Sequence, residues 1–266
     1  MRPESIASSR NPLLREIRRA AMRGSLTEDG LCVAESFHLL EEALRSECEV
    51  RVVISSEEVR EPVFQHLRGL NSIRAISVPT AVFRELSTTE NSQGVIALIK
   101  PPSWTIEHVL RGQSLVALLD GVQDPGNAGT IIRSAEAFGA TGVICLKNTV
   151  SLFNPKCLRA AAGSMFRLPC VIAPEDDLLR LAFRQRGVKL YAASPKARQR
   201  MDQTDFKGKA AIVVGNEGKG VSGGWQRVAT GVRIPTVGVE SLNAAVAASV
   251  LLYEAHRQRM SQDGPV

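Results

Sequence analysis

The stretch SLVALLDGVQDPGNAGTIIRSAEAFG (114–139) decides the fold. An apolar run ends at Asp120, a turn rich in Gly, Asn and Pro follows, and a helical pattern then runs to Phe138-Gly139. An unbroken apolar run bounded by turn residues marks a strand buried on both faces, and a helix directly after it is half of a crossover to a parallel neighbour. The second half of the chain repeats this arrangement. Strands are expected at GVICL (142–146), CVIA (170–173), VKLYAAS (188–194), AAIVVG (210–215) and VRIP (232–235). Helices are expected near 128–138, 155–163 and 175–186, with a short helical piece near 221–228 and a long apolar helix from 242 to 259. These elements make an α/β layer with a parallel sheet covered on both faces.

Upstream, a smaller α/β unit alternates helices near 11–22, 35–47, 57–68 and 79–86 with strands at LCVA (31–34), VRVVI (50–54), SIRAISV (72–78) and GVIALI (94–99). KPPSW (100–104) breaks both periodicities. The expected division is a domain over 1–100, a linker over 101–112 and a larger domain over 113–266, with no internal repeat and no low-complexity tract.

Of the 266 residues, 44% are apolar and 23% charged, a globular composition that excludes disorder as the main state. The start, MRPESIASSRNPLLREIRRA, lacks an apolar signal core and no run reaches 18 apolar residues, so a cytoplasmic protein with no membrane span is expected. Five cysteines (Cys32, Cys48, Cys145, Cys157, Cys170) include no C-x-x-C, and Cys32, Cys145 and Cys170 stand in apolar runs as small buried hydrophobes. The histidines are scattered, and no metal site is expected. Net charge is +6. Residues 1–110 carry 13 basic against 15 acidic side chains and residues 111–266 carry 20 against 12, so the excess belongs to the second half. Arg2, Arg10, Arg15, Arg18, Arg19 and Arg23 make the opening an exception. Clustered cations suit a polyanion such as nucleic acid, or equally a solvated basic surface.

In open α/β sheets ligands bind beyond the carboxyl ends of the strands, and three loops there are rich in Gly, Asn and Pro. In the first, Asn127 is placed to cap a helix whose second turn holds Arg133, within reach of an anion; the same residues also suit a plain turn and a surface charge. The second, Val214 to Ser222, lets the backbone come close to a ligand around the lone carboxylate of Glu217. It contains a G-x-G-x-x-G match at 218–223 that follows no strand directly and opens no crossover helix, so it is not read as a dinucleotide site. The third, Arg233 to Asn243, offers Ser241 as the cap of the alanine-rich final helix, which is apolar nearly all round and expected to be buried.

Together these loops resemble the three motifs of the SpoU (TrmH) family of RNA ribose methyltransferases in the SPOUT superfamily. The likeness covers residues 115–258: N-x-G-x-x-x-R-x-x-x-x-F-G at Asn127 to Gly139, G-N-E-G-x-G at Gly215 to Gly220, and I-P…E-S-L-N-x-A-x-A at Ile234 to Ala247. More loosely, the first domain resembles the substrate-binding domain fused to this family, a ribosomal-protein-like RNA-binding fold. The resemblance implies S-adenosylmethionine-dependent transfer of a methyl group to a ribose 2′-hydroxyl, a trefoil knot at the C-terminal end and a homodimer. It assigns Asn127, Arg133, Glu217, Ser241 and Asn243 to catalysis. The methyl donor falls at Ala193, Ser194, Gly215, Asn216, Gly220, Ile234 and Leu242, and Arg15, Arg18, Arg19 and Arg23 fall to RNA.

Methyl transfer from a sulfonium neutralises charge, so the site must align donor and acceptor and help a weakly acidic hydroxyl lose its proton. A guanidinium is a poor base; Arg133 is read as gripping a phosphate and acidifying the hydroxyl, with deprotonated Arg133 as the variant. Ribosomal RNA is the expected substrate. The alternatives are tRNA, a non-catalytic RNA-binding protein of the same fold, and a nucleotide- or NAD-dependent enzyme.

Overall fold

The computed structural model describes residues 4–70, 72–173 and 175–260; Arg2 of the basic opening lies outside them. The chain divides into two compact units, Met1–Pro102 with Ser151–Arg167, and Ser103–Val150 with Leu168–Val266.

The first unit begins with β1 (Glu4–Ser5), α1 (Pro12–Arg23), β2 (Cys32–Glu35), α2 (Phe37–Arg45) and β3 (Val50–Ser56). It continues with α3 (Arg60–His66), β4 (Arg74–Val78), α4 (Thr80–Leu86) and β5 (Val95–Ile99). Its sheet runs β1-β4-β3-β5-β2. β4 is parallel to β1 and β3, whereas β5 is antiparallel to β3 and β2. Both ends of α1 are written locally. Asn11 Oδ1 accepts from the Leu13 N–H, Pro12 takes the first turn, and Gly24 closes the helix in the left-handed region at φ 60°. Leu14, Ile17, Ala20 and Ala21 face the core, leaving Arg15, Arg19 and Arg23 exposed.

The second unit opens with α5 (Ile106–Val109), β6 (Leu115–Asp120), α6 (Pro125–Ala137) and β7 (Gly142–Cys145). The chain then leaves for α7 (Pro155–Ala161), which packs with the first unit, and returns at β8 (Cys170–Ile172). α8 (Asp176–Arg186), β9 (Lys189–Ala193), β10 (Gln199–Arg200), β11 (Ala210–Gly215), α9 (Gly223–Gln226), β12 (Thr230–Arg233) and α10 (Ala244–Met260) complete it. The sheet order is β10-β12-β9-β11-β6-β7-β8, with every pair parallel. The central strands β6 and β11 are buried on both faces. Val116, Leu118, Ala211 and Val213 join a core with Phe183 of α8 and Trp225 of α9, while α6 and α10 cover the other face.

The structure corrects several expectations. The linker over 101–112 is open chain only in part, because Val109 and Leu110 are apolar enough to be buried with α5 in the second core. Residues 151–167, expected within the larger domain, belong to the first unit. Packing and charge pairing hold them there: Cys157, Leu158 and Ala161 of α7 are buried, Arg159 donates to Thr88 Oγ1 at 2.8 Å and lies 3.6 Å from the buried Glu35 carboxylate, and Arg167 donates to Glu42 at 2.5 Å. Sequence periodicity carries no trace of such pairs. The strand at 170–172 pairs only with β7, so as an edge it leaves Cys170 half-buried and Ile172 exposed. Cys32, Cys145 and Cys157 are buried, and burial pushes the Cys32 and Cys157 thiols up to about 12.

Candidate active site

The order of the second sheet reverses between β6 and β11. From β6 the chain moves outward to β7 and β8, while β11 pairs with β6 on its other side. Gly215 lies opposite Asp120 in register, so the first two glycine-rich loops leave the sheet side by side at a switch point, where ligands collect in such folds.

Asp124, not Asn127, caps α6: its carboxylate accepts from the Asn127 N–H at 2.8 Å and Pro125 takes the first helical position. Arg133 therefore lies in the third turn, not the second. This frees the Asn127 side chain, which donates to Glu217 Oε1 at 3.0 Å. The same carboxylate accepts from the Asp124 N–H at 3.2 Å and, through Oε2, from the Gln123 N–H at 3.3 Å. Burial pushes the Glu217 carboxyl up, but these hydrogen bonds outweigh it and hold the group below its ordinary value.

The loop carrying Glu217 is a tight hairpin closed by reciprocal backbone bonds between Asn216 and Gly220. Asn216 Oδ1 accepts from the Gly218 and Lys219 N–H groups at 3.0 Å each, and Asn216 Nδ2 donates to the Gly121 carbonyl at 3.0 Å. Gly220 adopts φ 69°. A Cβ on Gly215 would stand 2.1 Å from the Gly220 carbonyl carbon, so only glycine fits there. Asp120, at the end of β6, accepts from the Ser222 N–H at 2.6 Å and ties down the far side of the hairpin. The decoy glycine motif is spent in this hairpin, and α9 behind it is a single turn.

The third loop brings Asn243. Its Nδ2 donates to Asn127 Oδ1 at 3.0 Å, and its Oδ1 accepts from the Ala245 and Val246 N–H groups at the start of α10. Asn243, not Ser241, therefore caps that helix, and Ser241 stands two residues upstream of the cap. Nor is α10 buried all round. Ala245, Ala248, Leu251, Leu252 and Ala255 face inward, while Val246, Tyr253 and Met260 are exposed at seven-residue spacing.

Beside this array opens a cavity of about 560 Å³, in the range of small-molecule sites. All seven residues expected to hold the methyl donor line it: Ala193, Ser194, Gly215, Asn216, Gly220, Ile234 and Leu242. Glu217, Ser241 and Asn243 line it too, as do Lys196 and Glu240, which sequence reasoning passed over. Asn127 joins through its bonds to Glu217 and Asn243. Arg133 does not line the cavity; it is exposed on α6, with no hydrogen bond or ion pair among the described residues. Arg15, Arg18, Arg19 and Arg23 belong to the first unit, where Arg18 pairs with Glu85 and Arg19 with Glu28. Asp120 and Asp124 were also missed, although an aspartate ending a buried strand and one preceding Pro125 are both readable signals.

A family model described as the SpoU rRNA Methylase family matches residues 114–253. The chain belongs to that family. A model for an MRM3-like substrate binding domain matches residues 11–97. The 23S rRNA (guanosine(2553)-2′-O)-methyltransferase of Bacillus subtilis is 31% identical over 252 residues, 94% of this chain and 98% of that protein. Among solved structures, the SpoU methyltransferase AviRb from Streptomyces viridochromogenes in complex with AdoMet matches with a TM-score of 0.84 at 29% identity, covering 95% of this chain and 99% of that one. An AdoMet-bound rRNA methyltransferase from Sinorhizobium meliloti matches with a TM-score of 0.81 at 28% identity, covering 96% and 97%. As a SpoU methylase the chain is an RNA 2′-O-methyltransferase, and its methyl donor is S-adenosylmethionine.

The cavity suits that donor. Val214, Ile234, Leu242 and Leu251 offer apolar wall, Ser194, Lys196 and Glu240 offer polar groups, and Gly215 leaves the backbone bare.

Proposed function

We propose that this SpoU methylase modifies ribosomal RNA, with the cavity holding the methyl donor and the Asn243–Asn127–Glu217 array orienting the acceptor. That array carries the reading: one continuous chain of hydrogen bonds joins the three loops at the cavity rim. S-adenosylmethionine, when bound, supplies a methyl group activated on a sulfonium. Ala193, Ser194, Gly215, Asn216, Gly220, Ile234 and Leu242 hold it, largely through backbone groups. Glu217 acts as a brace, since its oxygens are engaged by Asn127 and two backbone amides. Asn243 and Ser241 present the acceptor nucleotide. Arg133, exposed and without a carboxylate partner among the described residues, grips the RNA phosphate beside the target ribose and makes its hydroxyl easier to deprotonate.

The first unit selects the RNA, with Arg15, Arg18, Arg19 and Arg23 on α1 meeting phosphates; the substrate-domain match over 11–97 supports this. The active form is a homodimer, which covers the exposed stripe of Val246, Tyr253 and Met260 on α10. A trefoil knot accounts for the return of the chain after β12 to lay α10 on α6 and the two central strands. The enzyme works in the cytoplasm; no helix among the described residues is long and apolar enough to cross a membrane.

The test compares Arg133→Ala with the wild type. Tritium transfer into rRNA should vanish while S-adenosylmethionine affinity by calorimetry stays unchanged, and undiminished turnover would remove Arg133 from this role.

A further inference from the structure

The turn from Gly121 to Asp124 delivers two backbone amides to Glu217 and starts the helix that carries Asn127. Its conformation is set at Gly121, which adopts φ 72°, a left-handed geometry with no side chain of its own to hold it. Two side chains from other loops supply the hold. On the carbonyl side, Asn216 Nδ2 donates to the Gly121 oxygen at 3.0 Å. On the amide side, the Gly121 N–H donates to Thr149 Oγ1 at 3.2 Å, and that hydroxyl donates in turn to the Leu119 carbonyl at 2.9 Å. Thr149 thus closes the end of β6 by giving one hydrogen bond and taking another through a single oxygen atom, which valine of the same shape cannot do. The next residue repeats the attachment through the backbone, with the Val150 N–H donating to the Val122 carbonyl at 2.9 Å.

The place where this happens adds weight. Thr149 and Val150 are the last residues of the second unit before the chain leaves for Ser151–Arg167 in the first. That excursion is held by Arg159 on Thr88 and Glu35 and by Arg167 on Glu42.

We propose that Thr149 is a positioning residue for methyl transfer: its hydroxyl fixes the Gly121–Asp124 turn on which the Glu217, Asn127 and Asn243 side chains are assembled. It touches neither donor nor acceptor. The proposal rests on the function argued above.

The experiment uses the full chain and three variants. Thr149→Val keeps the shape and removes the hydroxyl, Thr149→Ser keeps the hydroxyl, and Thr149→Ala repeats the deletion without the valine's bulk should that variant fail to fold. Methyl transfer to a 23S rRNA transcript and to total RNA gives kcat and KM, and calorimetry gives S-adenosylmethionine affinity. Thr149→Val should lower kcat by about 10- to 100-fold, the scale of a small misplacement of reacting groups, with KM for RNA and donor affinity within about threefold. Thr149→Ser should recover most of kcat. Wild-type kcat in the folded hydroxyl-deletion variants would overturn the proposal, as would a serine variant that falls as far as valine or a parallel collapse of donor binding. A wild-type protein that methylates neither RNA would instead refute the function on which it rests.

Discussion

Asn127 donates to the Glu217 carboxylate at 3.0 Å while its carbonyl oxygen accepts from Asn243 at 3.0 Å, so both ends of one amide are used to join three loops. An aspartate in its place could accept from Asn243 but would set its charge against Glu217. Asn127→Asp should therefore reduce methyl transfer by about 100-fold through misplacement of the array, with donor affinity nearly unchanged. Steady-state kinetics beside calorimetry measures this, and a variant with normal kcat would show that the amide is not needed.

Glu217 makes the site sensitive to acid in a definite direction. Its folded-state carboxyl is held below the ordinary 4.5, so its contribution is fully present above that value and is lost as pH falls through the depressed folded value. The stability of the second unit, measured by unfolding, should fall on acidification within that window. Glu217→Gln should lack this acid limb; an unchanged pH profile in the glutamine variant would assign the limb to another group.

Arg259, half-buried near the end of α10, donates to the carbonyls of Phe206, Gln113, Ser114 and Gly208 and has no carboxylate partner among the described residues. Burial lowers its affinity for the proton. It pins the last turn of α10 to the chain entering the two central strands. Arg259→Met should cost about 3 kcal/mol, because the carbonyls it serves lose a charged donor at once. Urea unfolding of the second unit's transition tests this, and a change below about 0.5 kcal/mol, the size of an ordinary surface substitution, would count against it.

The four arginines of α1 should not contribute equally to RNA binding. Arg18 and Arg19 are paired with Glu85 and Glu28, whereas Arg15 and Arg23 are exposed with no ion pair among the described residues. Removing either Arg15 or Arg23 should flatten the salt dependence of RNA affinity, by about 0.7 in the log–log slope for each phosphate no longer neutralised. Arg18→Ala should change the slope less. Equal slopes for all four variants would refute the distinction.

Much of this architecture could be read from residues alone, because buried parallel strands and capped helices are local signals. Pro12 and Gly24 bracket α1, and the apolar run 115–119 marks a strand covered on both faces. What escaped was set in part by partners distant in sequence. The local pattern made Asn127 and Ser241 reasonable caps, but Asp124 and Asn243 take those places, and Asn127 is released to Glu217 ninety residues away. The position of residues 151–167 was equally hidden, since it depends on where Glu35 and Glu42 present their carboxylates. The outward apolar stripe of α10 escaped because a helix rich in alanine looks uniformly apolar until its neighbours are known.

The excursion over 151–167 bears on how such a protein can be cut and recombined. A boundary drawn after Pro102 yields a first fragment without Arg159 and Arg167, leaving the Glu35 carboxylate buried without its cation. It also yields a second fragment that carries a segment whose packing partners are gone. Any exchange of first units between relatives must therefore transplant two separate pieces of chain, and pairs of substitutions that preserve function should link α2 and β2 to α7 across what looks like a domain border.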